Sequence, residues 1–161
     1  KIGDQYKQSP KDLITISLGL VDGSYRYVNV SSSMTGQDFI YYCGEELGCE
    51  APDYFHVYIK GDVATERWID IDKTLHEQKI VNNSSVIFKI KYMKEPATRL
   101  DHNSLDFFFM QVKKAVLENE CIIPEKMSII LAAFLFQIQF GNNTEASLIK
   151  YALSALTQLT L

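Results

Sequence analysis

The hydrophobic period of this chain changes once, and that change constrains the fold more than any single motif. From Leu13 to Met93 apolar residues recur mostly at every second position, the period of a half-buried strand. From Asn103 to Leu161 they recur at every third or fourth position, the period of a helix, and Lys94-Glu95-Pro96 lies between the two patterns. One pattern cannot bury its apolar face in the other's geometry, so the chain reads as α+β with two lobes, residues 1–94 and residues 95–161. A length of 161 residues accommodates two small lobes, and 47% hydrophobic against 22% charged residues gives each a core and a solvated surface. Charge does not separate them: residues 1–94 hold 11 basic and 13 acidic groups and residues 95–161 hold 5 and 7, so each nets −2.

In the first half Ile14, Ile16 and Leu18 alternate with Thr15 and Ser17, and Val21-Asp22-Gly23-Ser24 supplies a turn into a second strand, Tyr25 to Val30, with Val28 and Val30 inward. Thr35-Gly36-Gln37-Asp38 has the form of a helix start, a hydroxyl at the cap and a carboxylate three residues on. Phe39, Cys43 and Leu47 then make a helical stripe, and Gly48 ends it. Further strands are expected at Tyr54–Lys60, Arg67–Ile71 and Val86–Tyr92, the last with Ile87, Lys89 and Lys91 on the face opposite Val86, Phe88 and Ile90. A hairpin, a helix and a late closing strand resemble the β-grasp arrangement of ubiquitin-like modules, by analogy of fold.

The second half opens with Leu105, Phe108, Phe109, Val112 and Val116 on one helical face, Gln111, Lys113, Lys114 and Glu118 turned away. Pro124-Glu125 suits the first turn of a second helix, apolar on nearly every side from Met127 to Phe140, expected centrally in a bundle and stopped by Gly141-Asn142. Thr144 is placed to cap a third helix carrying Leu148, Ala152, Ala155, Leu156 and Leu159.

Several function classes are disfavoured. A net charge of −4 argues against a nucleic-acid partner bound through its phosphates. Three cysteines, Cys43, Cys49 and Cys121, are odd in number and lack metal-ligand spacing, which fits a reducing, intracellular setting rather than a disulfide framework. The longest apolar run, Ile129 to Phe136, is far short of the roughly 20 residues that span a bilayer. Lys1 stands where Met would begin a chain and no signal peptide is visible, so the sequence reads as an excised piece.

The residues now in view resemble the first two lobes of a FERM domain, the cloverleaf module of the band 4.1, ezrin-radixin-moesin and merlin proteins. In the first lobe the resemblance rests on Thr35-Gly36-Gln37-Asp38, Leu47-Gly48, Asp53-Tyr54-Phe55 and Arg67-Trp68-Ile69. In the second, Phe107-Phe108-Phe109-Met110-Gln111-Val112-Lys113 is similar to the family's Phe-Leu-Gln-Val-Lys helix, and Leu131-Ala132-Ala133 through Gln137 to Phe140-Gly141 resembles its central helix. It departs from the pattern at Tyr54-Phe55-His56-Val57 and at Gly141-Asn142-Asn143, beyond which it cannot be followed. The resemblance implies a ubiquitin-like lobe followed by an all-α lobe of acyl-CoA-binding-protein type, with the third, PTB/PH-like lobe absent and no cofactor.

Ezrin-like members resemble one another in a basic Trp-Leu-Lys-x-x-Lys-Lys strand that contacts phosphoinositide head groups. Here it reads Trp68-Ile69-Asp70-Ile71-Asp72-Lys73-Thr74, which keeps only Lys73 and adds two carboxylates that an anionic surface repels. Weak or no phosphoinositide binding is therefore expected, with Lys73 as a candidate contact. Asp70 and Asp72, two apart on an expected strand, would share a face, with Ile69 and Ile71 on the other; no further ligands or burying residues mark them as a metal or acid/base site. Cys43 and Cys121 read as small buried hydrophobes, and His56, His76 and His102 show no partner spacing, so no catalytic residue is assigned.

The candidate protein-binding residues are Tyr25, Arg26 and Tyr27 on the second strand, the strand that ubiquitin-like modules often present to Ras-family GTPases. Tyr and Arg are residue types enriched in interface hot spots. The resemblance implies a non-catalytic adaptor in the cytoplasm at the cell cortex, its partners membrane-protein tails or scaffold proteins, with a Ras/Rap-family GTPase as a candidate. Two alternatives stay open: the targeting region of a tyrosine phosphatase or kinase whose catalytic domain lies elsewhere, and a ubiquitin-like interaction module outside the FERM family.

Overall fold

A computed structural model describes residues 12–62, 65–92 and 100–141. It divides into two compact units, residues 1–114 and 115–161. In the first, the strands are β1 (Leu13–Gly19), β2 (Tyr25–Ser31), β3 (Phe55–Ile59), β4 (Arg67–Trp68) and β5 (Ser85–Ile90), with helix α1 (Gly36–Leu47) and a single 3-10 turn at Pro52–Tyr54. Helix α2 (His102–Leu117) begins in this unit, and α3 (Glu125–Phe140) lies in the second.

The five strands form one sheet in the order β2-β1-β5-β3-β4. The hairpin is antiparallel with Gly19 opposite Tyr25, and β5 enters between β1 and β3, parallel to the former and antiparallel to the latter. A parallel pair requires a long crossover, and α1 with the segment after β4 supplies it. The hairpin turn follows from its residues: Gly23 takes φ +91, and the Asp22 carboxylate accepts from the amide and hydroxyl of Ser24 at 2.9 and 2.7 Å.

The expected inward residues are buried. Ile16, Leu18, Val28, Val30, Phe39, Cys43, Val57, Val86 and Phe88 pack into one core between the sheet and α1. The Thr35 hydroxyl accepts from the Asp38 amide at 3.2 Å and donates to its carboxylate at 2.9 Å, capping α1 as expected. Gly48 closes the helix at φ +71. Gly36 has a second reason. A Cβ there would sit 2.1 Å from the carbonyl oxygen of Asp70, because the 70–74 segment docks directly on the start of α1. Carbonyls of Lys73 and Ile71 accept from the amides of Gly36 and Gln37 at 2.9 and 3.0 Å, satisfying donors that a helix start leaves unpaired.

That docking corrects one expectation. The strand expected over Arg67–Ile71 stops at Trp68, and Asp70 and Asp72 occupy a turn rather than one face of a strand. The reason is where the backbone bonds go: the Asp70 amide donates to the side chain of the buried Gln78 at 2.7 Å, and Gln78 Nε2 donates to the carbonyls of Asp70 and Lys73. The Asp72 amide donates to the Asp70 carboxylate at 3.1 Å, and Ile71 is exposed.

Helix α2 departs from its expected face as well. Ser104 is fully buried, Phe107 and Phe108 pack against the sheet core, and Phe107 meets Phe55 edge-on at 6.2 Å. Gln111, expected outward, is clamped to β5: it accepts from the Ile90 amide at 2.8 Å and donates to the Ile90 carbonyl at 2.9 Å. The inward stripe is therefore 104, 107, 108 and 111, and Leu105, Phe109 and Val112 are exposed. The start of the helix is held by Asp101, whose carboxylate accepts from the amide and hydroxyl of Ser104 and from the Glu50 amide, while Asn103 donates to the carbonyl of Gly48.

In the second unit Pro124 lies just before α3 and its carbonyl accepts the first helical bonds from Met127 and Ser128. Cys121 is exposed rather than buried as expected: it lies in the turn that closes α2, where Asn119 takes φ +57 and the amides of Glu120 and Cys121 both donate to the carbonyl of Ala115. Ile129, Ile130, Phe134 and Ile138 of α3 are exposed as well. The third helix expected after Thr144 lies outside the described residues.

Candidate functional site

Alternation along β2 splits the three candidate residues between two faces. Val28 and Val30 face α1, and Arg26, two residues earlier, continues that side: its guanidinium donates to the carbonyl of Glu46 at 2.8 Å. Helix α1 has no basic residue in its own last turn, so Arg26 supplies from the neighbouring strand the cation that a helix C-terminus favours. Tyr25 and Tyr27 project from the other face, exposed at 65% and 66%, with their rings edge to face at 5.7 Å. The structure thus brings the two tyrosines together and turns Arg26 from them toward the end of α1. β2 is one of the two edge strands, and among the described residues no strand pairs with its outer edge.

Lys73 lies in the segment docked on α1. Its ammonium pairs with the Asp70 carboxylate at 2.8 Å, both groups being largely in solvent. Asp70 accordingly titrates below the usual carboxylate range, chiefly through the Lys73 bond, and Lys73 above the usual ammonium range through the same bond. The carboxylate acquired beside Lys73 neutralises it.

The two buried thiols are poorly disposed to act as nucleophiles. Burial pushes Cys43 well up, and Cys49 is pushed up to about 11, mainly by burial, so both stay protonated near neutrality. Among the described residues no group of three His, Cys, Asp or Glu side chains is placed to hold a metal ion, and no helix is long and apolar enough to cross a membrane.

One cluster escaped the sequence reading. On the sheet face away from α1, Trp68 meets His56 and Tyr58 edge-on at 5.7 and 5.3 Å. Lys89 Nζ lies 4.0 Å from the centre of the Tyr58 ring and 4.9 Å from that of Trp68, and Lys91 Nζ lies 5.3 Å from Trp68 and 5.0 Å from Tyr92. The signal was the matched alternation of His56/Tyr58 with Lys89/Lys91, but only the register that sets His56 opposite Lys89 and Tyr58 opposite Trp68 joins the pieces.

Residues 94–159 match the FERM central domain family. The chain is 30% identical over 128 residues to FERM domain-containing protein C of Dictyostelium discoideum, a match covering 80% of this chain and 9% of that protein. It is 24% identical over 141 residues to tyrosine-protein phosphatase non-receptor type 14 of Mus musculus, covering 86% of this chain and 12% of that one. The chain thus spans about a tenth of the length of these relatives. The crystal structure of the FERM and C-terminal domain complex of Drosophila Merlin is similar in fold, with a TM-score of 0.71 at 19% identity over 81% of this chain and 45% of that chain.

Proposed function

The chain belongs to the FERM family, and on that footing we propose that it acts as a non-catalytic protein-interaction module of a membrane–cytoskeleton adaptor at the cytoplasmic face of the cell cortex. The alternative of a ubiquitin-like module beside an unrelated helical domain falls with the family match over residues 94–159. Within this reading residues 1–94 form the ubiquitin-like lobe and residues 95–161 the helical lobe, of acyl-CoA-binding-protein type.

The observation that carries the proposal is the outer strand β2, unpaired along its edge among the described residues and bearing two exposed tyrosines at its start. An open strand edge adds a partner's strand through main-chain hydrogen bonds, while alternate side chains select the partner. A Ras/Rap-family GTPase in its activated form is the partner proposed for this edge. The ion pair of Lys73 with Asp70 supports weak or no phosphoinositide binding, because a lysine already neutralised offers little to an anionic head group.

Calorimetric titration with GTP- and GDP-loaded Ras- and Rap-family GTPases tests the reading. Preference for the GTP forms, weakened about tenfold or more by Tyr27→Asp, is expected. Arg26→Glu should weaken binding too, but it also removes the bond to Glu46, so the Tyr27 variant is the cleaner probe. Equal affinity for both nucleotide states overturns the GTPase assignment.

The match to a tyrosine phosphatase favours a second reading, in which the same module targets a phosphatase domain encoded elsewhere in the parent. The coding sequence beyond residue 161 distinguishes them: a phosphatase signature selects the targeting role, and its absence leaves the adaptor.

A further inference from the structure

We propose that a cavity beside β3 and β4 binds a single phosphate group, carried by a small soluble phosphate monoester. The cavity, of about 230 Å³, is lined by Lys60 just after β3, Arg67 at the start of β4, Lys79 between β4 and β5, and Ser84 just before β5. Among the described residues no carboxylate lines it, although the chain nets −4. Cations gathered around one cavity repel one another, and an anion among them relieves that repulsion.

None of the three cations is neutralised. Among the described residues neither Lys60 nor Lys79 makes an ion pair. Arg67 spends two of its five N–H donors on main-chain carbonyls of the cavity wall, those of Thr65 at 3.1 Å and Gln78 at 2.6 Å. These bonds fix the guanidinium and leave its charge and its other donors for a ligand. Ser84 Oγ accepts from the Val81 amide at 3.0 Å, so its own proton remains to donate. Lys79 adds a separate observation: its backbone takes φ +60, the left-handed region that Gly or Asn adopts more readily. A site that uses the ammonium accounts for a lysine held in that conformation.

The class of anion follows from charge and size. A guanidinium with free N–H groups beside two ammoniums matches a dianionic phosphate better than a single carboxylate. The volume lies below the roughly 300–1,000 Å³ of pockets for drug-sized ligands, which suits one phosphate on a short stem. An adjoining cavity shares Thr65, Arg67, Gln78 and Lys79 but is also lined by Glu66, Asp70 and Glu77. Those carboxylates are engaged by Tyr58, Lys73 and Thr74, and a second phosphate reaching into that cavity meets their repulsion. They limit the ligand to one phosphate. The site lies at the opposite edge of the sheet from β2, so its test and the GTPase titration fail independently.

The test is an NMR titration with glycerol phosphate at about pH 7.5, where a monoester is largely dianionic, with chloride adjusted to hold the ionic strength constant. The expected result is saturable shifts of the Arg67 Nε–H and of the Lys79 and Ser84 amides, half complete at or below about 1 mM. The double variant Lys60→Gln/Lys79→Asn should weaken binding about tenfold or more, and Lys113→Gln on α2 should leave it unchanged. Asn suits the left-handed backbone, so Lys79→Asn alone, expected to cost about threefold, carries the test should the double variant melt differently from the parent chain. No saturable response up to about 10 mM overturns the proposal, as does an equal response to acetate or an unaltered affinity in the lysine variants. Binding to vesicles of phosphatidylcholine with phosphatidic acid, without a response to glycerol phosphate, also overturns it and assigns the cavity to lipid.

Discussion

Replacing Gln111 with Leu removes a hydrogen-bonding group that stands in for a strand. β5 pairs with β1 only as far as Ile87 opposite Gly19, so the last residues of β5 run past the end of their parallel neighbour. The Lys91 amide donates to the carbonyl of Tyr54, the residue just before β3, at 3.2 Å, and the preceding amide of Ile90 therefore points to the vacated side. There the Gln111 carboxamide presents one acceptor and one donor at 2.8 and 2.9 Å, as a peptide group of an adjoining strand would. Two such bonds contribute about 0.5–1.5 kcal/mol each, and leaving the amide and carbonyl of Ile90, itself 7% exposed, without partners adds about 1–3 kcal/mol. Leu keeps the volume and restores neither bond, so Gln111→Leu should destabilise the sheet unit by about 2–6 kcal/mol. Urea unfolding by circular dichroism measures the total, and amide hydrogen exchange locates it: exchange at Ile90 should accelerate far more than at Val86, which lies within the β1-paired part of β5. Gln111→Glu sharpens the test. At neutral pH its carboxylate faces the Ile90 carbonyl without a proton to donate, and at pH below its pKa the protonated acid regains the donor, so this variant should recover stability relative to Gln111→Leu on acidification. An unchanged urea midpoint in Gln111→Leu with unaltered Ile90 exchange would mean that the carboxamide does not hold the end of β5.

Two further outcomes follow from the same structure. Gly36→Ala should destabilise by about 1–3 kcal/mol and loosen the 70–74 segment, because the new Cβ would lie 2.1 Å from the Asp70 carbonyl oxygen; the same urea experiment, with exchange at the Gly36 and Gln37 positions, reads both effects. His56 titrates below its usual value through burial and Lys91, so the unfolded chain binds the proton first and this residue's contribution to stability is present above about pH 6.5 and lost as pH falls below it. Unfolding midpoints of the parent chain and of His56→Gln between about pH 5 and 8 should converge at the acid end, and a parallel pair of curves would count against the assignment.

Most of the first lobe is legible in the chain's own residues, because each of its signals is local. Strict alternation over Ile14, Ile16 and Leu18 states which face of β1 is buried, Asp22-Gly23 states where the chain reverses, and Thr35, Asp38 and Gly48 state where α1 begins and ends. These depend on neighbours within a few residues, and the structure agrees with them.

The roles of polar residues whose partners are distant in sequence emerge only on folding. Gln111 reads as a solvent-facing position, and among three consecutive phenylalanines the helical period does not say whether Phe107 or Phe109 turns inward; packing on Phe55 and the vacant side of Ile90 settle both. Asp70 and Asp72 read as one face of a strand until Gln78 takes the backbone bonds of Asp70, the Asp70 carboxylate takes the Asp72 amide, and the open end of α1 takes the carbonyls of Ile71 and Lys73. Arg26 reads as a candidate partner-binding residue, and a helix terminus folded beside it takes the guanidinium. The aromatic–lysine face is the same case on a larger scale, since His56, Tyr58, Trp68 and Lys89 come from three strands joined only by register, with Lys91 just past the end of the last. An apolar side chain needs only to leave water, which a periodic pattern records, whereas a polar one needs a particular partner at hydrogen-bond distance, which only the folded chain supplies.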